Sequence, residues 1–317
     1  MNLTSFHYFI RVAELMSFTK AADDLYVSQQ SVSMHIKRLE EEYHVQLFER
    51  RPSLKLTSAG ETFLLFARDI VSADKVLLDQ LAAFNNEHYG TITIGLPVNR
   101  TYAFAREFVP RFTEKFPHMK ISLYEQHSTT LLDAVQRNAV DLAMVFLAPS
   151  VSAPDPMIYR YHSLGNEPLY AVISDKLLKK YFPDDFEAKK ESFRSGILLE
   201  DICQLPLFIR PSSSQIHRRI AEYLREKGFM PNILVQTASS GAMMPLCVHG
   251  YGIIFCTPML LRMFREEYSS HMDELNAFPV RHFEAAHHAM LVWHKNKYLS
   301  TPIRESIDLI EELFRKK

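Results

Sequence analysis

Residues 28–51 read SQQSVSMHIKRLEEEYHVQLFERR, with a thin apolar line among serines, glutamines and basic residues. Val32, Ile36 and Leu39 fall at i, i+4 and i+7, the spacing of one buried helical stripe. At about 100° per residue, Gln30, Met34 and Lys37 then point directly away from that stripe. Ser31 and Ser33 flank them, Gln29 lies near the edge of the first turn, and Ser28 is placed to cap the helix. Short polar groups lead, with Lys37 and Arg38 behind. This order suits a helix laid in a major groove: Gln pairs with adenine, Ser bonds either partner, and an apolar tip meets a thymine methyl. The basic residues and the helix N-terminus suit phosphates. A polar face alone is more often just solvated, so the flanking sequence has to decide.

Upstream, Phe6, Phe9, Ile10 and Ala13 give a first helix one buried stripe. A second helix starts with Ser17 as its cap and turns Ala21, Ala22 and Leu25 inward. Only Tyr26 and Val27 separate it from Ser28, a link short enough for a helix-turn-helix. Downstream, FERRPSLKL alternates around a Pro-Ser turn, as a small β-hairpin wing does. Arg50, Arg51 and Lys55 on such a wing reach DNA backbone or minor groove. From Ser58 to about Glu87, Phe63, Leu64, Ala67, Ile70, Val71, Leu77, Leu78, Leu81 and Phe84 recur near helical spacing. A helix of roughly seven to eight turns, apolar on one side, wants a partner helix.

These positions carry a resemblance. FTKAADDLYVSQQSVSMHIKRLEEEYHVQLFERR…LTSAGE resembles the winged helix-turn-helix of the LysR-type transcriptional regulators. The family pattern F-x-x-A-A-x-x-L is matched by Phe18, Ala21, Ala22 and Leu25. S-Q-x-x-x-S-x-x-I-x-x-L-E is matched by Ser28, Gln29, Ser33, Ile36, Leu39 and Glu40. L-F-x-R falls on Leu47, Phe48 and Arg50, and L-T-x-x-G on Leu56, Thr57 and Gly60. VHGYGIIFCTP resembles the family's late G-x-G-I-x-x-x-P turn at Gly250, Gly252, Ile253 and, one residue late, Pro258. Gln30 stands where the family often has Pro, and Met34 where a basic or polar residue is common, so the operator sequence does not carry over. The wing between Phe48 and Leu56 is short for the family.

After NNEHYG the texture changes to alternating strands and helices, which argues for parallel α/β sheets. The resemblance implies a two-lobed effector domain similar to periplasmic binding proteins. The expected fold is α+β and multi-domain. Residues 1–58 form a winged helix-turn-helix and 59–88 a linker and dimerisation helix. Residues 89–317 form a bilobed α/β effector domain, with lobe I at about 89–164 and 265–317 and lobe II at about 165–264. The polar insertion YFPDDFEAKKESFRSGILLED has no clear place in this scheme.

Ligands of such domains lie beyond strand ends, where helix N-termini gather. Four turns qualify: LPVNRT, EQHSTT, RPSSSQ, which opens a helix at Ser212–Gln215, and TASSG. With the crevice site that the resemblance implies, the candidates are Asn99, Arg100, Thr101, Ser128, Thr129, Arg210, Ser212, Ser213, Ser239 and Ser240. Backbone N–H groups and Arg100 or Arg210 suit a carboxylate or another anion. Arg210 equally suits an internal acid partner.

The totals set the outer limits. The chain has 317 residues, 47% hydrophobic and 23% charged, with formal net charge −1. Nucleic-acid binding must therefore sit in a local patch. Arg11 and Glu14 interrupt the N-terminal segment, which is not a signal peptide, and no apolar run has membrane-span length. Three scattered cysteines, Cys203, Cys247 and Cys256, fit a reducing cytoplasm; a redox-responsive regulator using one of them is the alternative within the same fold. His282, His287, His288 and His294 invite a metal reading. However, neighbouring residues of a strand face opposite ways, and no metal motif supports it. No G-x-S-x-G elbow points to a hydrolase, and a pure binding protein would lack the DNA-binding segment. The expectation is a cytoplasmic, nucleoid-associated regulator with no catalysis, no cofactor and no metal. Its expected partners are operator DNA, a second copy of itself and a small organic effector. The resemblance adds homotetramers that bend promoter DNA, with RNA polymerase as a further partner.

Overall fold

The computed structural model describes residues 2–84, 88–98, 100–212, 214–269 and 274–315. The chain divides into two compact units, one made mainly of the residues up to Gly90 and one of those beyond it.

The first unit begins with α1 (Leu3–Leu15), α2 (Phe18–Asp24) and α3 (Gln29–Glu42). Their starts are set by side-chain caps: Lys20 N–H donates to Ser17 Oγ at 3.2 Å and Ser31 N–H to Ser28 Oγ at 3.1 Å. Such a cap satisfies an amide that the helix itself cannot. Met16 and Tyr26 take left-handed φ angles of 45° and 55° at the two turns. Phe6, Phe9, Val12, Ala21, Ala22, Val32, Ile36 and Leu39 are buried together. Ile10 and Leu25, expected inside, are only partly buried at the rim of that core.

The wing is a short antiparallel hairpin of β1 (Phe48–Glu49) and β2 (Lys55–Leu56). Two side chains of α3 and the wing explain the sequence pattern physically. The N–H groups of Leu47 and Phe48 donate to one Glu40 carboxylate oxygen, at 2.9 and 3.3 Å. Thr57 Oγ1 donates to the Gln46 carbonyl at 2.6 Å and accepts from Gly60 N–H at 2.9 Å. A Cβ on Gly60 would lie 2.1 Å from the Leu47 carbonyl oxygen, so only glycine fits there. The long helix α4 (Ser58–Phe84) follows, and its Phe63 packs 4.9 Å from the Phe9 ring. The first turns of α4 therefore belong to the core of the head. The end of the expected helix, 85–87, lies outside the described residues.

The second unit holds two five-stranded sheets. The first contains β3 (Gly90–Leu96), β4 (Met119–Glu125), β5 (Leu142–Leu147), β6 (Tyr159–Glu167) and β12 (His287–His294) in the order β4-β3-β5-β12-β6. The second contains β7 (Tyr170–Ser174), β8 (Leu207–Ile209), β9 (Ile233–Gln236), β10 (Ile253–Cys256) and β11 (Leu275–Pro279) in the order β11-β7-β10-β8-β9. Around the first sheet run α5 (Thr101–Lys115), α6 (Ser128–Gln136) and α13 (Thr301–Arg315). The other helices are α7 (Asp175–Tyr181), α8 (Phe186–Arg194), α9 (Leu199–Ile202), α10 (Gln215–Glu226), α11 (Ser240–Val248) and α12 (Pro258–Glu267). Among the described residues no helix is long and apolar enough to cross a membrane.

Both sheets are mixed rather than purely parallel. β5 and β3 run parallel, but β12 is antiparallel to both β5 and β6. In the second sheet β7 is antiparallel to both β10 and β11. The antiparallel strands are those where the chain passes between lobes, at β6 to β7 and β11 to β12. This moves a boundary: β11, expected in lobe I, pairs along its whole length with β7 of lobe II. Phe278 anchors it there against Phe193 at 5.5 Å. The unplaced insertion, Tyr181 to Asp201, follows α7, forms α8 and leads into α9; α8 is tied back to α7 by Lys190 Nζ donating to Asp175 at 2.9 Å. Their charged faces stay out while Phe193 enters the lobe II core.

Candidate functional site

Two surfaces carry the side chains that chemistry would use. On α3, Gln29, Gln30, Met34, Lys37 and Arg38 are exposed, and Ser31 and Ser33 are half-buried beside them. The Ser28 hydroxyl is occupied as the helix cap. Lys37 Nζ lies 3.4 Å from Glu41, one turn on. Such an exposed pair is worth little and is easily exchanged for a phosphate. On the wing, Arg51 and Lys55 are exposed. Arg50 is partly committed to the fold, over the Phe18 ring at 5.3 Å and 3.7 Å from Glu40. One residue of this region escaped the sequence reading. His35 Nδ1 shares a 2.8 Å hydrogen bond with Ser5 Oγ, and its ring meets Tyr8 edge-on at 4.8 Å. It fastens α3 to α1 on the side away from the exposed face.

The second surface is a cavity of about 570 Å³ between the two lobes. From lobe I come Arg100, the start of α6 at 127–130, Phe146 and His287; from lobe II come Arg210, residues 214–216, Arg218 and Phe255. Arg100 is 4% exposed and fully engaged. Its guanidinium donates twice to Glu167, at 2.9 and 2.5 Å, and lies 4.0 Å over the Phe146 ring. A bidentate pair of this kind has its charge matched inside the protein.

Arg210 is the reverse case. It has no carboxylate partner among the described residues; Nη2 donates to Ser240 Oγ at 2.7 Å and Nη1 to the Ala238 carbonyl at 3.4 Å. Burial, then the charge of Arg100, pull its pKa down to about 10. His287 is 9% exposed, and its Nδ1 has no hydrogen-bond partner. Burial first, then Arg100, Arg219 and Arg210, hold its pKa down to about 3, so the ring is neutral near pH 7. Arg219 fixes the approach to His287 by donating to the Ala285 carbonyl at 3.3 Å and to that of Ala286.

Of the residues expected to bind an effector, Arg100, Ser128, Thr129 and Arg210 line this cavity, while Thr101, Ser212, Ser239 and Ser240 do not. Asn99 and Ser213 lie outside the described residues. Ser239 is a helix cap, accepting from Ala242 N–H at 3.2 Å. Ser240 positions Arg210 from behind. The helix expected to open at Ser212 begins later, at Gln215, with Ser214 preceding it and making no side-chain cap bond. The Arg assignment inverts too: Arg100 has the internal acid, and Arg210 lacks one. The sequence reading missed His127, Thr130, Ser214, Gln215, Arg218, Thr257 and His287 as cavity residues. In the sequence, His287 draws notice only as a metal ligand.

Among the described residues no three His, Cys, Asp or Glu side chains gather as a metal site requires. Cys203, Cys247 and Cys256 are free and buried. Burial pushes the Cys247 thiol up to about 12 and raises Cys203 and Cys256 as well. Reactive cysteines need the opposite shift.

Known proteins resemble the chain in both of its parts. The family described as "LysR substrate binding domain" matches residues 85–315, and "Bacterial regulatory helix-turn-helix protein, lysR family" matches residues 3–61. The HTH-type transcriptional regulator CfxR of Cupriavidus necator is 30% identical over 257 residues, covering 80% of this chain and 74% of that protein. A full-length point variant of OxyR from Pseudomonas aeruginosa has a similar fold, with TM-score 0.66 and 18% identity, covering 100% of this chain and 95% of that one. Full-length CbnR, solved in complex with its target DNA, gives TM-score 0.55 and 17% identity, covering 99% of this chain and 100% of that one.

Proposed function

We propose, from the premise that this chain belongs to the LysR family of bacterial transcriptional regulators, that α3 reads base edges in the major groove of operator DNA and that a small anionic effector between the lobes changes how that DNA is held. The chain is a LysR-type DNA-binding transcriptional regulator with an effector-binding domain. The finer reading rests chiefly on one observation. Val32, Ile36 and Leu39 are buried while Gln29, Gln30 and Met34 stand exposed on the same helix, which His35 clamps to α1. Gln29, Gln30, Ser33 and Met34 meet bases, and Lys37, Arg38, Arg51 and Lys55 meet phosphates.

The reading includes a second copy. α4 leaves Leu65, Leu77, Leu78 and Leu81 more than half exposed. Burying the part of each that is still exposed contributes about 1–1.5 kcal/mol, which supports a two-fold dimer reading a palindromic site. A dimer of dimers on bent promoter DNA, acting in the cytoplasm on RNA polymerase, completes the scheme. Arg210 without an acid partner among the described residues supports an anion as the effector. The effector favours one closure of the lobes, and through oligomer contacts that closure alters the spacing of the DNA-binding heads. No bond is made or broken in this scheme.

The test is genome-wide capture of the DNA this protein occupies, at two salt concentrations. Sharp sites with a two-fold repeat that persist at the higher salt are expected. Diffuse occupancy that fades with salt and shares no motif would leave only phosphate binding and overturn the reading of α3.

A further inference from the structure

We propose that the cavity is built for a small two-ended organic dianion, with one anionic group at the start of α6 in lobe I and the other at Arg210 and the start of α10 in lobe II. The proposal rests on the effector reading above and names the chemical class that site takes.

The charge balance comes first. Among the described residues no carboxylate lines the cavity, and Glu167 beside it is consumed by Arg100. Arg210 and Arg218 remain on the lobe II wall with no acidic partner among the described residues. Two helix N-termini open onto the same space, α6 through Ser128, Thr129 and Thr130, and α10 through Ser214 and Gln215. Each N-terminus carries roughly half a positive charge. The Ser214 side chain makes no cap bond, so the first amides of α10 remain available to a ligand.

A second observation is independent of these charges. His287 is nine-tenths buried and lines the cavity, and its Nδ1 has no protein partner. The Gln215 side-chain amide, on the opposite lobe, also has its Oε1 buried without a partner, and turning that amide over presents its Nε2–H donors to an acceptor in the cavity. Buried polar atoms left this way are costly, and an anion that accepts from the His287 Nδ1–H tautomer and from the turned Gln215 amide removes the cost. The cationic features lie on both lobes, whereas Phe146, Leu169, Ile216 and Phe255 supply apolar wall. That distribution fits a hydrocarbon spacer between two anionic ends. A monoanion satisfies one lobe and leaves the other unmatched, so only the two-ended ligand draws both walls together.

The experiment is isothermal titration calorimetry on the full chain with linear dicarboxylates from succinate to suberate, each beside the monocarboxylate of equal length. At the best length the diacid is expected to bind roughly tenfold to a hundredfold tighter than its monoacid. Arg210→Met is expected to remove most of that preference, and Arg210→Lys to retain part of it. Equal affinities at every length, or no binding by any diacid, would overturn the proposal. Inorganic phosphate, a compact dianion, is expected to bind more weakly than the best diacid; equal affinity would overturn the two-ended geometry. Thr129→Trp, at an exposed residue of the cavity wall, separates this failure from that of the effector reading. Monoacids that bind wild type as tightly as the diacids and are excluded by Thr129→Trp would keep the cavity as the effector site while sinking the dianion. Diacid binding unchanged in Thr129→Trp would place the ligand elsewhere and sink both.

Discussion

On α3 the polar side chains stand in water with few commitments, whereas at the interlobe cavity Arg100 and Glu167 are buried and matched, and half-buried Arg210 is held by Ser240 and the Ala238 carbonyl. Lys37 leans on Glu41 at 3.4 Å with both side chains well exposed. Arg100 holds Glu167 with both residues almost fully buried. The same chemical pairing therefore has different consequences. In water the Lys37 pair contributes well under about 1 kcal/mol and exchanges readily for a phosphate. In the protein interior, removing one partner strands a charge that water cannot reach. A recognition face has to be replaceable contact by contact; a sensing cavity has to hold its shape until its ligand arrives.

Glu167→Gln tests that contrast at its strongest. It keeps the volume of the side chain and removes its charge, leaving Arg100 uncompensated beside Arg210 and His287. A loss of about 3–5 kcal/mol in unfolding free energy is expected by denaturant titration. A loss below about 1 kcal/mol would mean that the pair is solvated, and the distinction between the two regions would fail.

Acid sharpens the contrast next. An unfolded histidine titrates near about 6.5, whereas folded His287 is held down to about 3. Between these values the unfolded chain binds a proton that the folded chain does not. This contribution to stability is therefore complete above about pH 7 and is lost as pH falls toward about 3. The ceiling is about 1.4 kcal/mol per pH unit for one proton. His287→Gln is expected to flatten the dependence of stability on pH between about 4 and 6 relative to wild type. The groups facing His287 are the cations Arg100, Arg210 and Arg219, with Glu167 opposite it in the β6–β12 ladder. Equal slopes in the two proteins would mean that the ring already charges when folded.

The head was far more legible in the sequence than the cavity, and the reason is physical. Everything that shapes α3 lies within a short run of chain, where helical spacing alone assigns Val32, Ile36 and Leu39 to the core. Pattern positions such as Glu40 and Gly60 were visible as letters, but their reasons were not. The carboxylate holding two wing amides and the 2.1 Å approach to the Leu47 carbonyl exist only in three dimensions. The cavity draws on residues from Pro97 to His287, and its central pair joins positions 67 apart. Turn hydroxyls gave the general location but could not separate Ser239, a cap, from Ser128, a wall residue. Strand alternation puts His287 and His288 on opposite faces, but it does not say what either face meets. The strand turns His288 to Ser163 and Asn166 at 3.1 and 2.9 Å and His287 into the cavity. β11 was missed because Asn276 and Pro279 break so short a pattern, and its place in lobe II is set by β7 rather than by its own residues.

The smallest expected effects fall on α3 itself, and there the comparison can be broken within one helix. Gln29→Ala removes a group proposed to read a base, and Arg38→Ala one proposed to hold a phosphate. Both side chains are exposed, so neither substitution should change thermal stability by more than about 0.5 kcal/mol. Their DNA phenotypes should nonetheless differ in kind. Gln29→Ala should cost about 1–3 kcal/mol on the cognate operator per half-site and almost nothing on unrelated DNA. Arg38→Ala should weaken binding to both DNAs alike and lower the slope of log affinity against log salt by about 1 per lost contact. Fluorescence anisotropy across a salt series, on cognate and scrambled duplexes, separates the two. If Gln29→Ala lowered the salt slope and left selectivity intact, α3 would be gripping backbone rather than reading sequence. Both regions would then bind anions, and only burial would distinguish them.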